Sequence, residues 1–425
     1  MSSSPVPVAS RDGLPTASGH HRLRSRRLAL FGLFFITGID MSSWVTRTPA
    51  VRDLLDASTG RMGIVLGGLS IGSMIAILTS GPAVRRFGAR RMIASTSVGL
   101  VLGMPLVALG AATGSAPVVM CGLFCFGVGL GGGEIPINIE GARVEQESGR
   151  SFLPAMHGCF SAGTVLGAVC GILANTQDLP VTWHLVIAGV LTVIVVVLAI
   201  PQLPEATGKV VGTPQERHAG TGSSHSWRDA RLIMIGGIVL AVALAEGTAN
   251  DWLPLVMVDG HGLDPTLGSA VFALFAASMT IGRFAGGPVV RHLGRPVVLG
   301  ASAGFAALGL ASVALLDNPD LATIAVVVWG LGTSLGFPLA ISAAGDSGPD
   351  GAARVSAAGV VGYIAFLVGP PVLGLVGDHI GLRGALLLPM AVVALAILLS
   401  PATRTTAPAE DLDAAPGPAH EEDPR

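Results

Sequence analysis

The sequence predicts an all-α membrane protein: 12 transmembrane helices in two pseudo-symmetric six-helix bundles (6+6), with both termini cytoplasmic. Three observations carry that expectation. They are a shortage of charge with long apolar runs, the side on which the basic residues fall, and an internal repeat across one hydrophilic segment. Only 12% of the 425 residues are charged, against roughly 25% in a soluble domain. Mean hydropathy is +0.68. A soluble multidomain enzyme is excluded on that ground. A net charge of −2 with scattered arginines excludes a nucleic-acid binder.

A spanning helix needs about 20 mostly apolar residues. Twelve such stretches occur, near 28–46, 62–84, 92–113, 116–137, 153–175, 183–203, 231–256, 266–290, 296–316, 321–344, 355–377 and 383–401. The segments between them are mostly short, so consecutive helices run antiparallel. The first run is too long for a secretory signal and no A-x-A-like cleavage site follows it. Cys121, Cys125, Cys159 and Cys170 all fall inside spans, at spacings that match no zinc site. They read as small packing residues, and no metal or cofactor is expected.

Cytoplasmic loops carry the Lys/Arg excess. The basic residues, Lys209 being the only lysine, concentrate in the N-terminal tail, the even-numbered loops and the C-terminal tail. Arg47, Arg52, Arg61 and Arg383 lie on the opposite side, and Arg283 falls within a span. Residues 204–230, rich in Gly, Ser, Thr and charge, read as a cytoplasmic linker. The chain then divides into a tail (1–27), a first bundle (28–203), the linker, a second bundle (231–401) and a disordered acidic tail (402–425).

The two bundles repeat. At a shift of 206 residues, Gly81-Pro-Ala-Val-Arg-Arg-Phe-Gly88 falls on Gly287-Pro-Val-Val-Arg-His-Leu-Gly294 with five of eight positions identical. The same shift puts Asp40 on Glu246 and Gly163 on Gly369. Two helical halves related by a repeat are a common plan of secondary transporters, which hold substrate between them near the midplane.

Gly81-x3-Arg85-Arg86-x-Gly88-x-Arg90-Arg91 resembles the loop signature of the major facilitator superfamily, G-x3-D-R-x-G-x-R-R, and its second copy includes Gly287, Arg291 and Gly294. Several stretches resemble the fucose-permease-like branch: Trp44-x-x-Arg47-x-Pro49, Gly133-Glu134-x-x-x-Asn138, Pro154-Ala-Met-His157, Glu246-Gly-x-x-x-Asp251-Trp252 and Gly369-Pro-Pro-x-x-Gly374. The resemblance implies a small-solute transporter of the plasma membrane, monomeric and without cofactor, whose spans one, four, seven and ten line a central cavity. It implies a gating role for the loop signature, and proton coupling through acids on spans one and four. One position departs from the pattern. The family's Asp is Arg85 here and Arg291 in the second copy, and Arg cannot make the same ion pair or cap a helix N-terminus.

An ionisable group in hydrocarbon costs at least about 2.5–3.5 kcal/mol, so it is a functional candidate by default. Asp40, Glu134 and Glu246 qualify. Thr37, Asp40, Trp44 and Arg47 share one helical face, as do Gly131, Glu134 and Asn138, and Glu246 and Asn250 are one turn apart. Burial disfavours a charged carboxyl, which suits Asp40 or Glu134 to carrying a proton; the alternative is pairing with a buried base such as Arg283 or Arg47. Trp44 and Trp252 read either as platforms for a sugar face or as interfacial anchors. His157 reads as a hydrogen-bonded structural residue. Glu140 and Asp251 read as solvated near helix ends. Ser334, Pro338 and Ser342 share a face of span ten and could form a kinked gate.

Other motif matches fail on context. Gly127-x-Gly129-x-x-Gly132 lacks the strand a dinucleotide site requires, and its glycines suit close helix packing. Gly68-x-Ser70-x-Gly72 and Gly332-x-Ser334-x-Gly336 lack the strand–turn–helix setting of a hydrolase nucleophile, which makes an intramembrane hydrolase remote. The rival within transport is a drug or metabolite efflux antiporter. Span five lacks the Gly-Pro motif such antiporters carry, reading Ser161-Ala-Gly-Thr-Val-Leu-Gly167.

Overall fold

A computed structural model describes residues 17–149, 152–205, 207–209, 229–348 and 350–404. The two expected tails and the linker lie largely outside the described residues. Thirteen α-helices follow in order among the described residues: α1 Ala17–Leu54, α2 Thr59–Phe87, α3 Ala89–Ala112, α4 Ala116–Ser148, α5 Leu153–Thr176, α6 Val181–Ala199, α7 Ala230–Leu255, α8 Pro265–Leu293, α9 Arg295–Leu315, α10 Pro319–Thr333, α11 Gly336–Gly345, α12 Gly351–Ala385 and α13 Leu387–Leu399. Eleven stretches are long and apolar enough to cross a membrane, and the apolar helix Leu387–Thr403 is shorter.

The helices outrun their apolar cores. α1 begins at Ala17, well before the apolar run at 28, because a helix closes its own hydrogen bonds in water as well as in lipid while hydropathy marks only the hydrocarbon part. The tenth predicted span is broken between α10 and α11. Pro338 has no N–H to give the Ser334 carbonyl, and the helix restarts beyond Leu335. Ser334, Pro338 and Ser342 therefore do not share one continuous helix. Spans eleven and twelve join through Gly381, whose φ of +79° breaks the helix.

Helix starts carry side-chain caps. Ser58 accepts from Arg61 N at 3.2 Å, Asp264 from Thr266 N at 2.8 Å and Asn318 from Asp320 N at 2.8 Å. Pro265 and Pro319 occupy the first turns of α8 and α10, where a missing N–H is harmless. The repeat is visible in backbone conformation: the α2–α3 turn at Gly88 has φ +88°, and the α8–α9 turn at Gly294 has φ +78°. Only glycine adopts this region without strain.

Helices α1–α6 pack chiefly on one another, as do α7–α13, with α2 against α12 and α5 against α8 bridging the two sets. Lipid tails provide no hydrophobic drive between helices, so close backbone approach must hold them. Gly38 and Gly163 let α1 meet α5. Gly127 sits on the Leu69 carbonyl of α2, Gly129 on Leu100 of α3 and Gly132 on Thr96. The three glycines of the would-be dinucleotide motif are thus packing surfaces.

Asp229 opens α7. It accepts from Arg231 N at 2.9 Å and pairs with Arg354 at the start of α12. The Arg354 hydrogen bond holds its carboxyl below the usual range. A depressed folded-state value contributes stability above the unfolded value and loses it as pH falls through the folded one. Asp229→Asn should therefore lower the unfolding temperature at neutral pH, and the difference should vanish once acid protonates the wild-type carboxylate. Gly127→Val should destabilise by about 1–3 kcal/mol through overpacking. By contrast Gly81→Ala, where a Cβ meets nothing within 4 Å, should be neutral or stabilising. Thermal unfolding in detergent checks all three.

Candidate functional site

Polar side chains from α4, α5, α7, α8 and α12 stand along the facing surfaces of the two helix sets. Asn138 of α4 meets His157 of α5, Nε2 to Oδ1, at 3.1 Å, and its Nδ2 donates to the Glu134 carbonyl at 3.0 Å. Arg283 of α8 donates to Glu246 Oε1 of α7 at 3.1 Å. The Arg283 charge acts on His157, and the Glu134 carboxyl acts on Tyr363 of α12. These relations link helices that precede residue 204 to helices that follow 229. Asn250 lies half-buried one turn beyond Glu246.

The Glu134 side chain is solvent-accessible. Asn138, His157 and Arg283 are also accessible. The charges are unequal: Glu246 and Arg283 neutralise each other, while no basic side chain pairs with Glu134 among the described residues.

Asp40 is placed elsewhere. It is fully buried and faces α6, where Thr192 donates to Oδ2 at 2.7 Å, while Oδ1 has no partner. The structure does not bring Asp40 and Glu134 together. Arg47 is buried too and pins α1 to the α5–α6 corner, donating to His184 Nδ1 at 3.0 Å, to Asn175 Oδ1 and to the Leu179 carbonyl. Trp44 and Trp252 are each 1% exposed. This corrects both sequence readings of the tryptophans, since neither reaches the membrane interface nor offers a ring face to a ligand; each fills the core between helices. Glu140 is also corrected: rather than solvated, it is buried and paired with Arg26 at 2.7 Å. Asp251 is half-buried in a crevice against α12.

Around the loop signature, Arg85 and Arg291 are exposed, and Arg86 lies over the Phe87 ring. Each turn draws an acid from outside the motif. Arg90 pairs with Glu205 at 3.1 Å, and Arg295 pairs with Asp346, just past α11, at 2.7 Å. Ala89 N also donates to the Thr207 carbonyl at 2.8 Å, so Glu205 and Thr207 lie against the Gly88 turn.

Ties between the two helix sets occur at the end of the molecule that holds the α1–α2 and α7–α8 connections. Arg52 pairs with Asp259, Ser58 donates to Asp378 at 3.2 Å, and Asn175 donates to Ser269 at 2.9 Å. Ser269 in turn donates to the Thr46 carbonyl at 3.1 Å, and Gly63 packs on Gly374.

The helix count, the apolar spans and the paired glycine turns meet in one comparison: the family model described as Major Facilitator Superfamily matches residues 3–144 and 149–363. The chain belongs to the Major Facilitator Superfamily. An uncharacterized MFS-type transporter of Yersinia pestis is 30% identical over 360 residues, covering 83% of this chain and 88% of that one. The fold is similar to that of the crystallised nucleoside transporter NupG, at TM-score 0.67 and 16% identity over 89% of this chain and 98% of that one. It is also similar to the E. coli fucose:proton symporter FucP, at TM-score 0.60 and 17% identity over 89% and 98%. The protein is therefore a multi-pass membrane transporter of this superfamily.

Sequence reasoning set His157 aside as structural and did not single out Tyr363. A signal for the second was present, since Tyr363 is the only tyrosine in the chain and falls within a span. Arg47→Met should cost about 2–4 kcal/mol, because it removes hydrogen bonds from a buried charge to three partners. The loss is read as a lowered midpoint of thermal unfolding.

Proposed function

We propose that this superfamily member is a proton-coupled secondary transporter of a small polar, sugar-like solute, working by alternating access across the plasma membrane. One observation supports this above others: Glu134 is a solvent-accessible acid without a counter-cation among the described residues, beside the hydrogen-bonding groups of Asn138, His157 and Tyr363. An unpaired carboxyl can take up and release a proton with little rearrangement, and its charge state then biases which way a cleft between the two helix sets opens. The neighbouring amide, imidazole and phenol suit a hydroxylated ligand. The Glu246–Arg283 pair and Asn250 form the opposing wall.

In this reading α1–α6 and α7–α13, with α10 and α11 as one broken span, are two six-span bundles that rock about the cleft, with both termini in the cytoplasm. The ties at Arg52–Asp259, Ser58–Asp378 and Asn175–Ser269 then close the periplasmic side, and the cleft faces inward. Asp40 is a second, buried acid, held by Thr192 within the first bundle. The Gly88 and Gly294 turns act as gating elements, with Glu205 and Asp346 supplying the negative charge that Arg85 and Arg291 do not.

The test is ligand-induced thermal stabilisation of the purified protein with sugars, polyols, organic acids and lipophilic cations at mildly acidic and mildly alkaline pH. Stabilisation by a sugar or polyol, stronger in acid, is expected; a response to lipophilic cations alone, stronger in alkali, would make the protein an exporter. In proteoliposomes loaded with that solute, Glu134→Gln should abolish uptake driven by a pH gradient. Solute exchange should persist, since exchange moves no net proton.

A further inference from the structure

We propose that the crevice between α7 and α12 around Asp251 is a binding site for one sodium ion, separate from the central cleft. On α7, Thr248 and Asp251 lie on one face. On α12, Phe366, Gly369 and Pro370 face them, and together they line a narrow crevice. Asp251 makes no hydrogen bond or ion pair among the described residues. It stands five residues beyond Glu246, about 140° further around the helix at 100° per residue, so the two acids address different spaces.

The α12 wall supplies what a lone carboxylate lacks. Pro370 lies inside the helix and carries no N–H, so the carbonyl of Phe366, which lines the crevice, loses its intrahelical donor. Backbone carbonyls released within a membrane helix are the recurring ligands of small cations in transporters. The Thr248 hydroxyl donates its proton to the Leu244 carbonyl at 2.7 Å, which leaves its lone pairs available to a cation. The donor set is all oxygen, as a hard cation requires. One carboxylate and neutral oxygens sum to zero with a monovalent ion, whereas a divalent ion would leave net charge in a low-dielectric interior.

Both walls of the crevice run into the ties between the helix sets. Asp259, two turns past Asp251, pairs with Arg52, while Gly374 and Asp378 on α12 meet Gly63 and Ser58 of α2. An ion joining α7 to α12 would brace the helices that carry these contacts. It would favour the state in which this end is closed.

The experiment is thermal unfolding of the full-length protein in detergent, with sodium replacing choline at constant ionic strength and potassium as the control ion. Sodium should raise the midpoint by about 2–4 °C at saturation in the wild type and equally in Glu134→Gln. Asp251→Asn should show no rise. Pro370→Ala, which returns an N–H to the Phe366 carbonyl, should raise the half-saturating sodium concentration at least about tenfold (1.4 kcal/mol per decade). If Asp251→Asn fails to fold, Pro370→Ala and Thr248→Val carry the test. No sodium response in the wild type, or an undiminished response in these variants, overturns the proposal. So does stabilisation by acid instead of sodium that Asp251→Asn removes, which makes the crevice a proton site. Loss of the sodium response in Glu134→Gln would assign the ion to the central cleft and overturn it as well, and that outcome is distinct from a failure of proton coupling in transport.

Discussion

A hydrocarbon solvent accepts and donates no hydrogen bonds, and the architecture follows from that. Every backbone amide must be satisfied within the chain, so the spans are helices. Hydroxyls are turned back onto the carbonyl four residues earlier, as at Thr37, Thr164 and Thr248. The Trp329 indole donates to the Ala245 carbonyl at 3.2 Å, and Arg47 is spread over His184, Asn175 and Leu179. The accounting fails at particular places: Asp40 Oδ1, the Ser42 and Ser43 hydroxyls and the Trp252 indole N–H are buried without a partner among the described residues, and prolines within helices, as in α12, leave backbone carbonyls without their donors.

The same solvent explains the wealth of glycine. With lipid tails as apolar as leucine, burying side chains between helices gains little, and dispersion contacts between closely spaced backbones must hold the fold. Glycines at α1–α5, α2–α4 and α3–α4 crossings supply that contact within the first set of helices. Between the two sets, the close glycine contact is Gly63 on Gly374, at one end. Packing is denser within each set than between them, where α2 against α12 and α5 against α8 make most of the contact.

The polar ties between the sets fit that arrangement energetically. The Arg52 and Asp259 side chains are 19% and 27% exposed. Ion pairs near water contribute little, about 0–1 kcal/mol. Contacts of this strength would yield to a modest input of binding energy in the transport cycle proposed above. A large buried apolar interface in their place would fix one state. The deeper ion pairs, Arg26–Glu140 and Arg354–Asp229, each lie within a single set.

The membrane class, eleven of the twelve expected spans, the paired glycine turns and the family were legible in the chain because they depend on local quantities: apolar length, charge density and the residues that only a tight turn accepts. Helical periodicity also placed Thr37, Asp40, Trp44 and Arg47 on one face of α1, and they do lie together. What periodicity cannot supply is the rotation of that helix about its axis or the identity of its neighbour. That face turned toward α5 and α6, which buried Trp44 and closed Asp40 against Thr192. The candidate site draws on groups far apart in sequence, Glu134, His157, Glu246, Arg283 and Tyr363, whose positions depend on how helices approach at glycines and on which ends are tied. The sequence by itself determined what must be helical and which polar groups need partners. Only tertiary packing decided which partners they found, because azimuth and neighbour are set by side-chain fit between helices and leave no trace in the composition of either one.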